Sequence, residues 1–248
     1  MLKKIFCSLM SVTFVFFISQ CDAFSGDSHG TLLKSKIYRD SNLFNNLKKM
    51  SEAKVGDLVT FGAYEQDNNL GNGPEDIDWI VVKADKKNLL LLSLYGLDTK
   101  QFGSDLSHSN TWDKSNLRKW LNKSFLKNAF TDKERKCIPD VICPPDSFNG
   151  KIKNYPGQKT QDRIFILSAS EVVELLSDYK CLATPYAVAN GAYYWEEGDN
   201  SALWWLRTPG KDAGHIAVVD YSSHIFIEGV FPNDAKITVR PAMWITLP

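Results

Sequence analysis

Strand-like segments stand at both ends of this chain with helix-like segments between them, and that order constrains the fold more than any other feature. Residues 57–62, 78–82 and 89–94 are apolar over strand lengths, and Asp85-Lys86-Lys87-Asn88 is a hairpin turn between the last two. The period then changes. Leu117, Trp120, Leu121, Phe125 and Ala129 recur at close to helical spacing, which predicts one apolar helix face with Trp120 in the core. Thr131-Asp132-Lys133-Glu134 and Ser168-Ala169-Ser170-Glu171 each place a glutamate three residues after a hydroxyl, the capping box that opens a helix. Thr184-Pro185 opens another, and Gly191 suits its stop. Strand pattern resumes over 204–207, 215–219, 224–230 and 237–244. Such an order predicts an α+β fold: one mixed, mostly antiparallel sheet closed by the N- and C-terminal strands, with the helices inserted between them. Residues 55–248 carry it without a linker or a repeat, so they are read as one domain.

Ahead of that domain, Lys3 and Lys4 precede an uncharged apolar run over residues 5–18. The run is short of the roughly 20 residues of a membrane-spanning helix and suits the core of a signal peptide. Residues 1–23 are therefore read as a signal peptide and the protein as extracytoplasmic, secreted or periplasmic. Cys21-Asp22-Ala23 offers small residues for cleavage before Phe24. Alternatively, Ile18-Ser19-Gln20-Cys21 has the shape of a lipobox, in which Cys21 is lipidated and anchors the chain. An uncleaved anchor is the third alternative; after cleavage no transmembrane span remains. Residues 24–54 read as a polar tether and a short packed arm containing Leu43, Phe44 and Leu47.

Charge and cysteine content narrow the function classes. Lys and Arg number 29 against 29 Asp and Glu, with no basic stripe, which excludes nucleic acid as a main ligand. Beyond Cys7 and Cys21, the chain has Cys137, Cys143 and Cys181, enough for one internal bridge in an oxidising compartment. Cys137 and Cys143 flank a turn-prone stretch and are the expected pair. Their spacing is not that of a zinc site, and nucleophile-elbow, HExxH, P-loop and dinucleotide motifs are absent.

Six blocks in order carry a resemblance: Thr60-Phe61-Gly62-Ala63-Tyr64-Glu65-Gln66, Ile77-Asp78-Trp79, Leu117-Arg118-Lys119-Trp120-Leu121-Asn122, Thr184-Pro185-Tyr186-Ala187, Trp204-Trp205-Leu206-Arg207-Thr208-Pro209-Gly210 and Val239-Arg240-Pro241-Ala242-Met243-Trp244-Ile245. Over residues 55–247 the chain resembles the family of exported bacterial proteins called domain of unknown function 6273. That resemblance implies a bacterial, exported domain and brings no activity with it. More loosely, the layout is similar to C-type-lectin-like domains, in the branch of formylglycine-generating enzymes and the variable adhesins of diversity-generating retroelements. This implies a ligand face built from the loops before the last strand, here residues 193–199 and 215–233. The generating enzymes rely on paired cysteines near the site; no cysteine follows Cys181, so that activity is not carried over.

Tyr193-Tyr194-Trp195-Glu196-Glu197-Gly198-Asp199-Asn200 is the most suggestive stretch. Aromatic rings stack on the apolar faces of sugars, and carboxylates and amides bond hydroxyls. Trp195, Glu197, Asp199, His215, Tyr221 and His224 are the candidate ligand-binding residues. The same acids offer the oxygen ligands that calcium takes, as do those of the 67–78 loop, although that loop reads as a solvated turn. No cofactor is predicted otherwise. Neighbouring acids on one loop do not provide the opposed carboxylates of a glycosidase. His215 and His224 are candidates to approach each other on adjacent strands, and His108 is read as a surface residue. Arg207 and Arg240 lie amid apolar residues and read as scaffold charges with internal partners. The expected function is a recognition domain for a glycan or for an envelope or host protein. The alternatives are an extracytoplasmic enzyme acting on carbohydrate or cell-wall material, and a structural envelope protein without a small ligand.

Overall fold

A computed structural model describes residues 28–104 and 110–248, so Cys21 and His108 lie outside the described residues. The strands build two five-stranded sheets rather than the single sheet expected. In the first, β1 (Leu58–Tyr64), β2 (Glu75–Ala84) and β3 (Asn88–Ser93) form an antiparallel meander. The C-terminal β12 (Ala242–Thr246) pairs antiparallel with β3 and with β7 (Ile164–Phe165), so the domain's first and last strands do share one sheet. The second sheet runs β10 (Ile225–Val230), β9 (Ile216–Val219), β8 (Trp204–Pro209), β11 (Thr238–Val239) and β4 (Asp98–Thr99), with β11 parallel to β8. β5 (Val141–Cys143) and β6 (Thr160–Asp162) make a separate antiparallel pair. Pro241 stands at the crossing from the second sheet to the first. Without an N–H it cannot continue a central strand, so residues 237–246 break there and β11 and β12 enter different sheets. The whole is one mixed α/β domain with largely antiparallel sheets and, apart from the first, short helices.

The local helix signals are met. Both capping boxes form reciprocally, opening α4 (Asp132–Arg135) and α5 (Ala169–Leu175), and Thr184 caps α6 (Pro185–Ala189). The arm before the domain is longer than expected. It is a 23-residue helix, α1 (Ser28–Met50), which buries Leu47 and Met50 while Phe44 is 67% exposed. Arg39 ties α1 to the domain through Glu134 at 3.0 Å and the Ala129 carbonyl at 3.0 Å. No helix among the described residues is long and apolar enough to cross a membrane.

The Leu117–Ala129 periodicity is met with one correction. α2 (Asn116–Trp120) and α3 (Leu126–Ala129) are joined by a π-helical turn, Leu121–Phe125. Apolar residues four apart drift by about 40° per step on an α-helix. The wider turn absorbs that drift, so Leu117, Leu121, Phe125 and Ala129 are all buried. Trp120 is left half-buried at the margin, its ring 5.4 Å from that of Phe125 and its face under the Lys100 ammonium at 5.0 Å.

Buried polar groups account for the motif residues as scaffold. Asp162, 1% exposed, accepts from Arg118 at 2.6 Å, Trp112 Nε1 at 3.0 Å and Thr160 Oγ1 at 2.5 Å. Asn122 accepts from the N–H of Arg163 and donates to the Ile164 carbonyl, at 2.9 and 2.8 Å, pinning the π turn to the chain beside β7. Arg240 donates to the carbonyls of Ser93 and Lys180, at 3.0 and 3.2 Å, and lies over Trp204. The expected Cys137–Cys143 bridge is not formed, and Cys137, Cys143 and Cys181 are free thiols. Cys137 Sγ turns back to the Lys133 carbonyl at 3.7 Å, whereas Cys143 is buried in β5 opposite Thr160. Burial pushes the Cys143 thiol up to about 12.

Candidate functional site

At one end of the second sheet, four loop segments come together around the β9–β10 turn. Asp220 holds that turn by accepting from the N–H groups of Ser222 and His224, at 2.9 and 3.0 Å. Ser223 Oγ donates to Asp178 at 2.8 Å and accepts from the Tyr179 N–H at 2.9 Å, which brings in residues 178–180. Ser201 Oγ donates to the Tyr221 carbonyl at 2.9 Å, which brings in residues 193–201. The Tyr193 N–H donates to the Lys236 carbonyl at 2.9 Å, and the Lys236 ammonium sits 5.1 Å from the Tyr193 ring.

Trp195 dominates this surface. The indole is 51% exposed, and Tyr193 beside it is 39% exposed. Its loop is closed by backbone bonds: Trp195 N–H to Ser201 at 2.8 Å, and both Gly198 and Asn200 N–H to Trp195 at 3.2 Å. Gly198 has a steric reason to be glycine, because a Cβ there would overlap the indole six-membered ring. One face of the ring is thus backed by main chain while the side chain keeps half its surface in water.

The charges around the ring are ordered. Lys180 and Asp199 form an ion pair, and the hydrogen bond from Lys180, with others from Ser201, holds the Asp199 carboxyl well below the usual range. The Lys180 N–H and the Ser223 hydroxyl lower Asp178 likewise. Burial, then the neighbouring Tyr193 and Asp234, raise the Tyr221 phenol.

Of the residues expected from sequence, Trp195, Asp199 and Tyr221 are brought together here, with Glu197 exposed on the same loop and His224 on the turn. His215 is not. Ile225 pairs with Val219 and Val230 with Ile216, so His224 and His215 lie at opposite ends of the hairpin. The length of β9 alone separates them by roughly 13 Å at about 3.3 Å per residue. His215 instead stacks on Phe231 at 4.6 Å and bonds Asp212 through Nδ1 at 2.6 Å. The expectation that they approach is therefore corrected. Sequence reasoning missed Lys180, Lys236 and the role of Gly198; only Gly198, inside the suggestive stretch, carried a local signal.

Glu196, Glu197 and Asp199 do not converge as a cation site. Among the described residues the one group of three that does is Glu65, Asp67 and Glu75, whose ligand atoms lie within 4.8 Å of one another. Burial first, then Glu75 and Asp67, push the Glu65 carboxyl up. Glu75 meanwhile accepts from the Gln66 N–H at 2.7 Å and the Asp67 N–H at 3.2 Å, which organises the β1–β2 turn. Glu65 was missed because it sits just past β1, ahead of the acidic loop.

Comparison with known proteins gives one finding. The profile of a family described as Domain of unknown function (DUF6273) matches residues 86–247. The match starts at the β2–β3 turn, so α1, β1 and β2 lie outside it although β2 pairs with β3 along its length. No curated protein and no solved structure matches the chain.

Proposed function

The chain belongs to the DUF6273 family, and on that premise we propose that it is an extracytoplasmic recognition domain, secreted or held at a bacterial envelope, binding a glycan through the Trp195 face. The carrying observation is the indole: backed by Gly198 on one side and 51% exposed. A ring fixed in this way stacks on the apolar face of a sugar with little further loss of side-chain freedom. In this reading the Glu197 and Asp199 carboxylates accept from sugar hydroxyls and the Tyr221 phenol donates. The wider layout that this reading assigns to the chain is C-type-lectin-like, with the loops ahead of the last strands as the ligand face.

A glycan and envelope-protein array probed with wild type and Trp195→Ala tests the reading. Glycan binding that is lost in the variant supports it. Binding to arrayed protein alone moves the ligand class to protein, and degradation of an arrayed glycan replaces recognition with enzymatic action. Export is tested by the mass of the recovered protein: a start at Phe24 or an acylated Cys21 is expected, and an intact Met1 on cytoplasmic material overturns it.

A further inference from the structure

We infer that β10 is a self-association surface: two copies of the chain pair antiparallel along it, about a two-fold axis at Phe226, and join their second sheets into one. β10 is an outer strand of its sheet. The other outer strands of the two large sheets are short or screened. β4 and β7 have two residues each, and Asn46 of α1 donates to the Thr60 carbonyl of β1 at 2.8 Å. β10 has six residues, Ile225–Val230, without the lysine or proline that guards an exposed edge.

The register follows from the backbone. The Asp220 N–H donates to the His224 carbonyl at 2.9 Å, so His224 turns its main chain toward β9. Antiparallel pairs alternate, which turns Phe226 toward β9 as well and points the N–H and C=O groups of Ile225 and Ile227 outward. No hydrogen bond from outside the strand ladder reaches those two residues among the described residues. The ladder ends at Gly229, a bulge with φ of +77°. Pairing Ile225 with Ile227 of a second copy uses every outward group ahead of that bulge, each pair exchanging both its hydrogen bonds. The side chains complement one another in this register. His224, Phe226 and Glu228 share the exposed face, while Ile225 and Ile227 turn toward the core. Phe226, 39% exposed, then lies opposite its own copy across the axis, and His224 lies opposite Glu228, an imidazole facing a carboxylate. His224 is free for that contact, since its Nδ1 stands 3.9 Å from Asp220, beyond hydrogen-bond reach. Centring the pair on Ile225 would run it into the β9–β10 turn, and centring it on Ile227 would set Glu228 against Phe226 and meet the bulge. So short a ladder buries far less than a standard interface, so the dimer is weak.

Sedimentation equilibrium of the full chain, from about 10 µM to 1 mM, tests the interface. A monomer–dimer equilibrium is expected, weakened about tenfold by Phe226→Lys, which sets like charges against each other on the axis. His224→Glu is expected to weaken it by opposing two acids, and His224→Glu/Glu228→Lys to restore it. Phe226→Cys is expected to oxidise to a covalent dimer, because residues opposed in this kind of pair have Cα atoms about 4.5 Å apart, within disulfide range. All three positions are exposed, so the variants are expected to keep the wild-type melting temperature. A monomer at every concentration, association undiminished in Phe226→Lys, a charge swap no better than His224→Glu alone, or a Phe226→Cys protein that forms no bridge to its own copy overturns the inference.

Discussion

Arg207 on β8 meets Glu171 on α5 at 2.5 Å, and Glu171 uses its other oxygen to cap its own helix, accepting from the Ser168 N–H at 2.9 Å. One carboxylate therefore both starts α5 and neutralises an arginine that is 3% exposed and whose Nε and Nη1 have no partner among the described residues.

Removing the acid strands that buried charge. Glu171→Ala is expected to lower unfolding stability by about 3 kcal/mol, the low end for a broken buried pair because Glu171 is itself partly exposed. Glu171→Gln keeps a capping oxygen and should cost less. Replacing both partners, Glu171→Gln/Arg207→Met, should recover part of the loss in denaturant titrations. A double variant no more stable than Glu171→Gln would show that Arg207 does not depend on that charge.

Acid should weaken the domain through Asp146. Burial pushes its carboxyl up, but hydrogen bonds from Ser170, Thr208 and the N–H groups of Phe148 and Ser170 outweigh burial and hold it below its ordinary value. A lowered folded value means stability that is fully present above the unfolded value of about 3.9 and is lost as pH falls through the folded one. Glu134, raised by burial, works in the opposite sense, so the comparison must be with a variant. The stability difference between wild type and Asp146→Asn should be constant near neutrality and shrink below about pH 4. A difference that stays constant down to pH 2 would contradict this.

Trp120 and Leu121 are neighbours with different fates. Leu121 is wholly buried, so Leu121→Ala should cost about 2–5 kcal/mol. Trp120 keeps part of its surface in water over Phe125 and Lys100, so Trp120→Ala should cost about 1–2 kcal/mol, well short of the ~3–5 of a core indole. Equal losses in thermal melts would place both side chains in the core.

These cases show what was legible beforehand. The caps at Thr131, Ser168 and Thr184 were, because each is decided within four residues. The β3 and β12 strands were, because their apolar pattern is continuous. The margin position of Trp120 was not, since it follows from a π turn that packing, and not local propensity, selects. Neither was the division of residues 237–246 between two sheets, which falls at Pro241 with its missing N–H. In the candidate site, Trp195 and its acids could be found by composition, but the Lys180–Asp199 pair spans separate segments. The distance between His215 and His224 required the hairpin register.

The last prediction separates a platform from a core residue. If the Trp195 ring is a recognition surface, removing it should leave the fold intact. Trp195→Ala exposes no new core, so its stability should change by about 0.5 kcal/mol or less. Loss of a central aromatic contact typically costs about 2 kcal/mol of binding, near thirtyfold in affinity. Gly198→Ala sharpens the test, because it keeps the indole and changes only its support. The added methyl would overlap the ring, so the ring must swing outward or tilt. Affinity should then fall although every ligand-contacting side chain is still present, and the indole fluorescence should shift with its altered exposure. Both variants are compared with wild type by glycan titration alongside thermal melts. A Trp195→Ala protein that no longer folds would return the ring to the core. A Gly198→Ala protein with wild-type affinity would show that the position of the ring is not what the ligand reads.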